Sequence, residues 1–350
     1  MVTGGYYKLL VKNTESEYTV EPVAVSTSRC HRLNRWKIYS LFSLLTIVLV
    51  VFAFNLLYPA TEPSSNKLAA GTVAPTELKP ASKDDKSRIR YKHTRRHLPT
   101  CIIIGARKAG TRALLTYLNL HPQIIAAKQE IHFFDDNYER GIEWYRKSMP
   151  YAFDEQITIE KTPAYFVNED VPARVYKLNK SMRLLLIVRD PVERAISDYN
   201  QIMIKKRERN KPIASFEDLV IKSNGDVNGS YNGIKRSIYA HHMAKWLKYF
   251  PLEQFHIVDG EGLVDDPLPK VQAVENFLKI DHRITKENFY FNETRGFYCI
   301  RNETMEKCLN PSKGRVHPYV KQEVIHKLRR FFRPYNDKFY EMIHRNFGWP

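Results

Sequence analysis

The chain has only four cysteines in 350 residues, too few for a disulfide-stapled scaffold. It contains no HExxH pattern and no close-spaced Cys/His set, so zinc chemistry has little basis in it. It also lacks the Gly-Lys-Ser/Thr ending of a Walker A loop, which argues against a nucleoside triphosphate as ligand. No internal repeat is present. Disorder throughout is excluded by a hydrophobic content of 43%, in a chain long enough for one large α/β domain plus appendages, or at most two domains. Negative charge is scarce: 55 Lys+Arg stand against 38 Asp+Glu, a formal net charge of +17. That excess implies attraction to a polyanion, which could be nucleic acid, anionic lipid or a sulfated polysaccharide, and the sign does not choose among them.

One long stretch lacks charge altogether. Residues 38–58, from Ile38 to Tyr58, are uncharged, long enough to cross a bilayer and aromatic at both ends. Arg29, Arg32, Arg35 and Lys37 crowd its N-terminal flank, whereas the other flank has no cation before Lys67. The expected topology is a cytosolic tail over 1–37, a retained signal anchor over 38–58 and a lumenal remainder. A cleaved signal peptide is the alternative; its n-region would be unusually long, and no small-x-small site closes the run convincingly. Residues 59–97 are rich in Pro, Ser, Thr, Ala and Lys and read as a flexible stem, with the folded domain over 98–350. Sequons at Asn179, Asn228, Asn292 and Asn302 fit a secretory-pathway chain, although sequons also occur by chance. Asn310 is excluded because Pro311 follows it. Cys299 and Cys308 lie close together in a sequon-bearing, loop-like region and are expected to close a short ring.

The folded part is organised around Cys101-Ile102-Ile103-Ile104-Gly105-Ala106-Arg107-Lys108-Ala109-Gly110-Thr111-Arg112. A continuous apolar run, a short loop of small and cationic residues, and the helical spacing of residues 113–118 read as buried strand, tight loop and helix N-terminus. Backbone amides, the helix dipole, Lys108 and Arg112 then converge on a phosphate or sulfate. Residues 123–127 and 156–160 read as short strands, 183–188 as a stronger buried one and 255–258 as a fifth. Helical patterns over 192–204, 234–249 and 269–278 alternate with them. The fold class is therefore α/β, a mainly parallel sheet covered on both faces, which binds ligands beyond the carboxyl ends of its strands.

Other stretches carry chemistry less distinctly. After the strong strand, Arg189-Asp190-Pro191 leads into a helix, and Ser197 falls about two turns beyond Asp190, on the face that looks back at Arg189. The element Ser312-Lys313-Gly314-Arg315-Val316-His317 has a glycine between cations, as a flexible clamp or an ordinary exposed loop would. Lys128-Gln129-Glu130-Ile131-His132-Phe133-Phe134-Asp135-Asp136 places a carboxylate, an imidazole and an ammonium beside apolar rings. That combination suits a tuned general base, or a surface turn whose rings merely cover the core. The run Lys205-Lys206-Arg207-Glu208-Arg209-Asn210-Lys211 is a polyanion track or a solvated helix end.

Together, Lys108-Ala109-Gly110-Thr111-Arg112, the Arg189 to Ser197 spacing, residues 130–135, Lys161-Thr162-Pro163-Ala164 and Lys313-Gly314-Arg315 resemble the heparan sulfate glucosamine 3-O-sulfotransferases. The resemblance runs from about Leu98 to Pro350; residues 141–147 and 294–299 resemble one branch of the group in particular. Ala109 stands where that family usually has Gly. The resemblance implies a P-loop-like sulfotransferase fold, 3′-phosphoadenylyl sulfate as co-substrate and no metal requirement. It implies that Lys108, Ala109, Gly110, Thr111 and Arg112 wrap the 5′-phosphosulfate. Arg189 and Ser197 would take the 3′-phosphate; Tyr298, Lys313, Gly314, Arg315, Val316 and His317 would close over the nucleotide. Facing the saccharide would be Lys128, Gln129, Glu130, Ile131, His132, Phe133, Phe134, Lys161, Thr162, Pro163, Ala164, Gln201, Lys205, Trp246 and Leu247. Glu130 is the expected base, Lys108 the stabiliser of the leaving group, and His132 and Lys161 their assistants. Heparan sulfate chains and the Golgi membrane are the expected partners, and nucleic acid is not, because a lumenal domain would not meet it. The competing readings are sulfation at another heparan sulfate position, a nucleotide kinase, and a polysaccharide-binding protein without catalysis. A binding protein would have no need of Glu130 or Lys108.

Overall fold

The computed structural model describes residues 93–303, 305–310, 314 and 316–350. The tail, the apolar run 38–58 and most of the stem lie outside the described residues. Among the described residues no helix is long and apolar enough to cross a membrane. The stem as read ends at His97, but Arg95–Arg96 already forms strand β1, antiparallel to β4 (Tyr151–Ala152). Arg96 donates to the carbonyls of Lys147 and Met149 and Arg95 pairs with Asp154 at 2.9 Å. Two cations that composition assigned to a linker thus stitch it to the domain.

The central sheet has the order β3 (Ile124–Ala126), β5 (Ile157–Lys161), β2 (Cys101–Gly105), β6 (Arg183–Val188), β7 (Phe255–Asp259), and all its pairings are parallel. These are the five expected strands. Parallel pairing requires crossovers that cover both faces, so β2 and β6 read as unbroken apolar runs and are almost wholly buried. The helices are α1 (Thr111–Leu118), α2 (Gly141–Ser148), α3 (Val171–Leu178), α4 (Pro191–Arg207), α5 (Phe216–Val220), α6 (Asn232–Lys235), α7 (Tyr239–Trp246), α8 (Gly260–Asp265), α9 (Pro267–Leu278) and α10 (Gln322–Ile343). The helix expected over 234–249 is instead two helices. Between them the buried Ser237 hydroxyl accepts from Arg194 Nε at 2.6 Å and donates to Pro191 O at 2.9 Å. Breaking the helix there also presents the Gly233 carbonyl to the same guanidinium. A small antiparallel sheet, β8 (Phe289–Asn292), β9 (Phe297–Asn302) and β10 (Met305–Lys307), was not legible from periodicity, because its short strands bury only Phe289, Cys299 and Ile300 and do not alternate buried with exposed residues.

Candidate active site

The sheet directs the carboxyl ends of its strands to one edge, where α/β folds bind ligands. Residues 106–110 follow β2, residues 127–134 follow β3, Lys161 ends β5, Arg189 follows β6 and Glu261 lies just past β7. The chain leaves β2 with the Ala106 amide donating to Ile187 O at 2.7 Å, then turns back so that the Ala109 amide reaches Ala106 O at 3.1 Å. Lys108 and Gly110 have φ of 75° and 114°; the glycine takes that conformation without strain, whereas Lys108 is held in it. No side chain caps the first amides of α1, so they and the dipole are available to an anion. Helix α8 packs against this loop through Gly260, where a Cβ would lie 2.6 Å from both Ala109 O and Val188 O.

Ties from α4 fix the loop. Arg107 Nε pairs with Asp198 at 3.2 Å, and the buried Arg194 donates to Arg107 O at 3.3 Å. Lys108 Nζ donates to Gln201 Oε1 at 3.0 Å, joining a nucleotide-side candidate to a saccharide-side one; Lys205 lies one turn further on and is exposed. Arg112 donates to Lys128 O at 3.2 Å, linking this loop to the one that carries Glu130.

Beyond β6, Arg189 Nε lies 3.4 Å from Glu261 and its terminal nitrogen 3.8 Å from Glu193. His317 Nδ1 meets Glu193 at 3.1 Å and Asn200 Nδ2 donates to Val316 O at 2.9 Å. Val316 and His317, the last residues of the Ser312 to His317 element, therefore dock on α4 beside Arg189, with Ser197 half-buried on the same helix. The His317 bond, with the Arg189 charge, holds the Glu193 pKa below its ordinary value despite burial. Lys313 and Arg315 lie outside the described residues. Gly314 sits against the Phe297 ring, which a Cβ would approach to 2.8 Å. The neighbouring Tyr298 carbonyl accepts from the Tyr117 hydroxyl at 3.0 Å. Cys299 and Cys308 form the expected disulfide, with Cα atoms 4.4 Å apart, tying β9 to the chain just ahead of this cover.

On the base side, one Glu130 oxygen hydrogen-bonds Lys161 Nζ and the other lies 3.6 Å from His132 Nε2. His132 Nδ1 meets Asp135 at 2.9 Å and Asp136 at 3.5 Å. Burial raises the Glu130 pKa, but the hydrogen bond and charge of Lys161, then the charges of His132 and Arg112, outweigh it and the net shift is downward. Burial lowers that of His132, and the carboxylates of Asp135, Asp136 and Glu130 carry it above its ordinary value. Glu130 remains 38% exposed and Lys128 and Gln129 are exposed, so this loop presents its polar groups to solvent.

Several residues expected to face a saccharide do not. Phe133 is 1% exposed because its ring stacks on Tyr145, centroids 4.2 Å apart. Phe134 is buried against Tyr145 and Tyr165. Trp246 is wholly buried, its indole N–H donating to Phe166 O at 3.2 Å, and Leu247 packs partly buried against the same core. Thr162 is buried beneath the base loop, accepting from the amides of Ile131 and His132, and Ile131 packs on the core. Pro163 and the half-buried Ala164 line a 60 Å³ cavity with Arg107, Arg194 and Arg236. Asn179, Asn228 and Asn292 are half-buried and Asn302 is exposed. The residues missed by sequence reasoning are the buried partners: Glu160, Tyr165, Arg194 and Asp198. Their available signals were a carboxylate inside the apolar run Ile157–Lys161 and an Arg-x-x-x-Asp pair on one helix face.

A strand-end anion loop tied to a carboxylate held between an ammonium and an imidazole defines a group-transfer site. The family model described as sulfotransferase domain matches residues 98–345. A sulfotransferase from Alicyclobacillus acidocaldarius shares the fold, with a TM-score of 0.54 at 20% identity over 71% of this chain and 97% of that one. Heparan sulfate glucosamine 3-O-sulfotransferase 5 of Homo sapiens is 55% identical over 269 residues, 76% of this chain and 78% of the relative. The Mus musculus protein of the same name is 57% identical over 72% and 74%, and the human 3B1 form is 43% identical over 83% and 76%. The chain belongs to the sulfotransferase family and, within it, to the heparan sulfate glucosamine 3-O-sulfotransferases.

Proposed function

We propose that this protein transfers a sulfuryl group from 3′-phosphoadenylyl sulfate to the 3-hydroxyl of glucosamine residues in heparan sulfate, with Glu130 as general base. The observation that carries the reading is the Glu130 carboxylate, held by Lys161 beside His132 on a loop that Arg112 joins to the anion loop. The donor supplies a labile sulfur–oxygen bond to phosphate. As the acceptor oxygen bonds to sulfur, its proton passes to Glu130, and the phosphate oxygen leaves with the electron pair of the broken bond. Lys108, Arg112 and the first amides of α1 offset the charge growing on that phosphate. Lys161 and His132 keep Glu130 ionised at neutral pH, which is the form that accepts a proton. Arg189 and Ser197 hold the 3′-phosphate, and Tyr298, Val316 and His317 cover the nucleotide. Lys128, Gln129, Gln201 and Lys205, polar and accessible, meet the sulfated chain.

Labelled-sulfate transfer to heparan sulfate, heparin and tyrosine acceptors, followed by disaccharide analysis, tests the assignment. Label confined to the glucosamine 3-position is expected; label at another position supports the alternative regiochemistry, and absence of transfer supports a binding protein. The charge asymmetry about residues 38–58 supports a single-pass Golgi protein with a cytosolic N-terminus and a lumenal catalytic domain. In sealed microsomes, residues 98–350 should resist external protease; their digestion would overturn that topology.

A further inference from the structure

We propose that Glu160, a buried carboxylate outside the reacting groups, is a positioning residue that fixes the backbone carrying Glu130 and His132 through the hydroxyls of Thr162 and Tyr165. The inference rests on the reading of Glu130 as the base. Glu160 is 0% exposed. Its Oε1 accepts from the Tyr145 hydroxyl at 2.7 Å and from the Tyr165 hydroxyl at 3.0 Å, and its Oε2 accepts from Thr162 Oγ1 at 2.9 Å. An ionised carboxylate only accepts, so all three hydroxyl protons point at it and the hydroxyl lone pairs turn the other way.

Those lone pairs receive consecutive backbone amides. Thr162 Oγ1 accepts from Ile131 N at 3.2 Å and His132 N at 3.4 Å; Tyr165 Oη accepts from Phe133 N at 2.8 Å and Phe134 N at 3.4 Å. The four amides that follow Glu130 thus end on two oxygens oriented by one side chain. The arrangement has little slack. The Thr162 and Tyr165 hydroxyls each have one proton and two lone pairs, all used; a donor placed at either Glu160 oxygen would face one of these full acceptors and leave its hydroxyl proton without a partner. His132 sits at φ 53°, a conformation that a non-glycine residue keeps only when its surroundings hold it there. Burial raises the Glu160 pKa, the three hydroxyls lower it, and the net shift is upward, so the fold pays in stability for an ionised group at this point.

The test is Glu160→Gln in the full chain, which keeps the volume and replaces one acceptor by a donor. Amide exchange over residues 131–134 should accelerate about tenfold, and kcat should fall about 10–100-fold, as for a base displaced by up to an ångström. Affinity for 3′-phosphoadenosine 5′-phosphate should stay within about twofold, because its candidate residues lie elsewhere. The acid limb of kcat/KM should also move upward: Glu130 faces Lys161, His132 and Arg112, with Asp135 and Asp136 behind His132, and a slackened loop withdraws it from the cations that hold it down. A folded Glu160→Gln protein with kcat within about twofold of native and an unmoved acid limb would overturn the proposal. If that variant does not fold, Tyr165→Phe removes the acceptor of the Phe133 and Phe134 amides together with one donor to Glu160, and the same shifts at about 3–10-fold are expected; unchanged kcat there overturns it equally. Glu130→Gln, measured alongside, separates the two ideas: retained turnover removes Glu130 from the chemistry, while amide exchange still decides whether Glu160 holds the loop.

Discussion

The two loops that meet at the site are held by buried carboxylates of opposite character. On the donor side Asp198, with no exposed side chain, pairs with Arg107, Arg194 and Arg236 at 3.2–3.4 Å. Burial raises its pKa, but the three guanidinium charges outweigh that and leave it lowered. On the base side Glu160 is equally buried but meets only hydroxyls, and its pKa is raised. An ionic hub carries net positive charge to the anion loop. A hydroxyl hub adds no cation beside Glu130, and leaves Lys161, His132 and Arg112 alone to set the charge of the base.

The largest expected effect tests the division of labour between these loops. Replacing Glu130 with Gln keeps size and some hydrogen bonding but leaves the acceptor proton without a base, so turnover should fall about 10²–10⁴-fold. Calorimetry of 3′-phosphoadenosine 5′-phosphate should meanwhile show affinity within about twofold of native, because the residues proposed for the nucleotide, chiefly Lys108 to Arg112, Arg189 and Ser197, do not include Glu130. A parallel loss of affinity would mean that the loops act as one unit.

Asp198→Asn should come next, at about 3 kcal/mol of stability by urea titration, the low end for a broken buried pair because Arg107 and Arg236 reach solvent. The two hubs should then separate by pH. Asp198, with a lowered folded pKa, contributes stability that is present above its unfolded value of about 3.9 and lost as pH falls through the folded value. The advantage of native over Asp198→Asn should therefore shrink in acid. Glu160, with a raised folded pKa, contributes stability that is present below its unfolded value of about 4.3 and lost as pH rises through the folded value. Native minus Glu160→Gln should thus grow as pH falls from neutrality. Parallel slopes would abolish the contrast.

The same contrast explains how far the sequence was readable. The five strands and the anion loop were legible because an apolar run, a glycine and two cations state strand, turn and charge within a dozen neighbouring residues. Glu130 and His132 were legible as a chemically suggestive cluster, but their supports were not. Glu160 is 30 positions away from Glu130 in the chain and reaches it through two hydroxyls; Asp198 meets an arginine on another element. The family resemblance placed Phe133, Phe134 and Trp246 on the saccharide side, whereas in the structure their rings pack into the core. Proximity in sequence does not determine which way a side chain points.

A third region is held covalently. The Cys299–Cys308 bond closes a loop of nine positions, and replacing both cysteines with serine should cost about 2 kcal/mol in urea titration. The functional consequence should appear as weaker nucleotide binding, since this crosslink precedes Gly314, Val316 and His317, while the two carboxylate hubs keep turnover at saturating donor close to native. Equal loss of turnover and affinity would place the crosslink under the base loop as well.

The smallest effect concerns Ala109, the alanine at a position the family usually gives to glycine. Its side chain is 3% exposed and belongs to the core cluster, and it is absent from the positive-φ residues that flank it, Lys108 and Gly110. Nothing in its backbone conformation therefore requires glycine. Ala109→Gly removes one buried methyl and adds freedom to the unfolded chain, together about 1 kcal/mol of destabilisation. The geometry offered to the anion should hardly change, because Arg107 is tied to Asp198, its carbonyl to Arg194, and Lys108 to Gln201. Donor affinity and kcat within about twofold of native, with the lower stability, would show that α4 rather than residue 109 sets the loop. A fivefold or greater change in donor affinity would reverse that conclusion and make the methyl itself a determinant of the anion site.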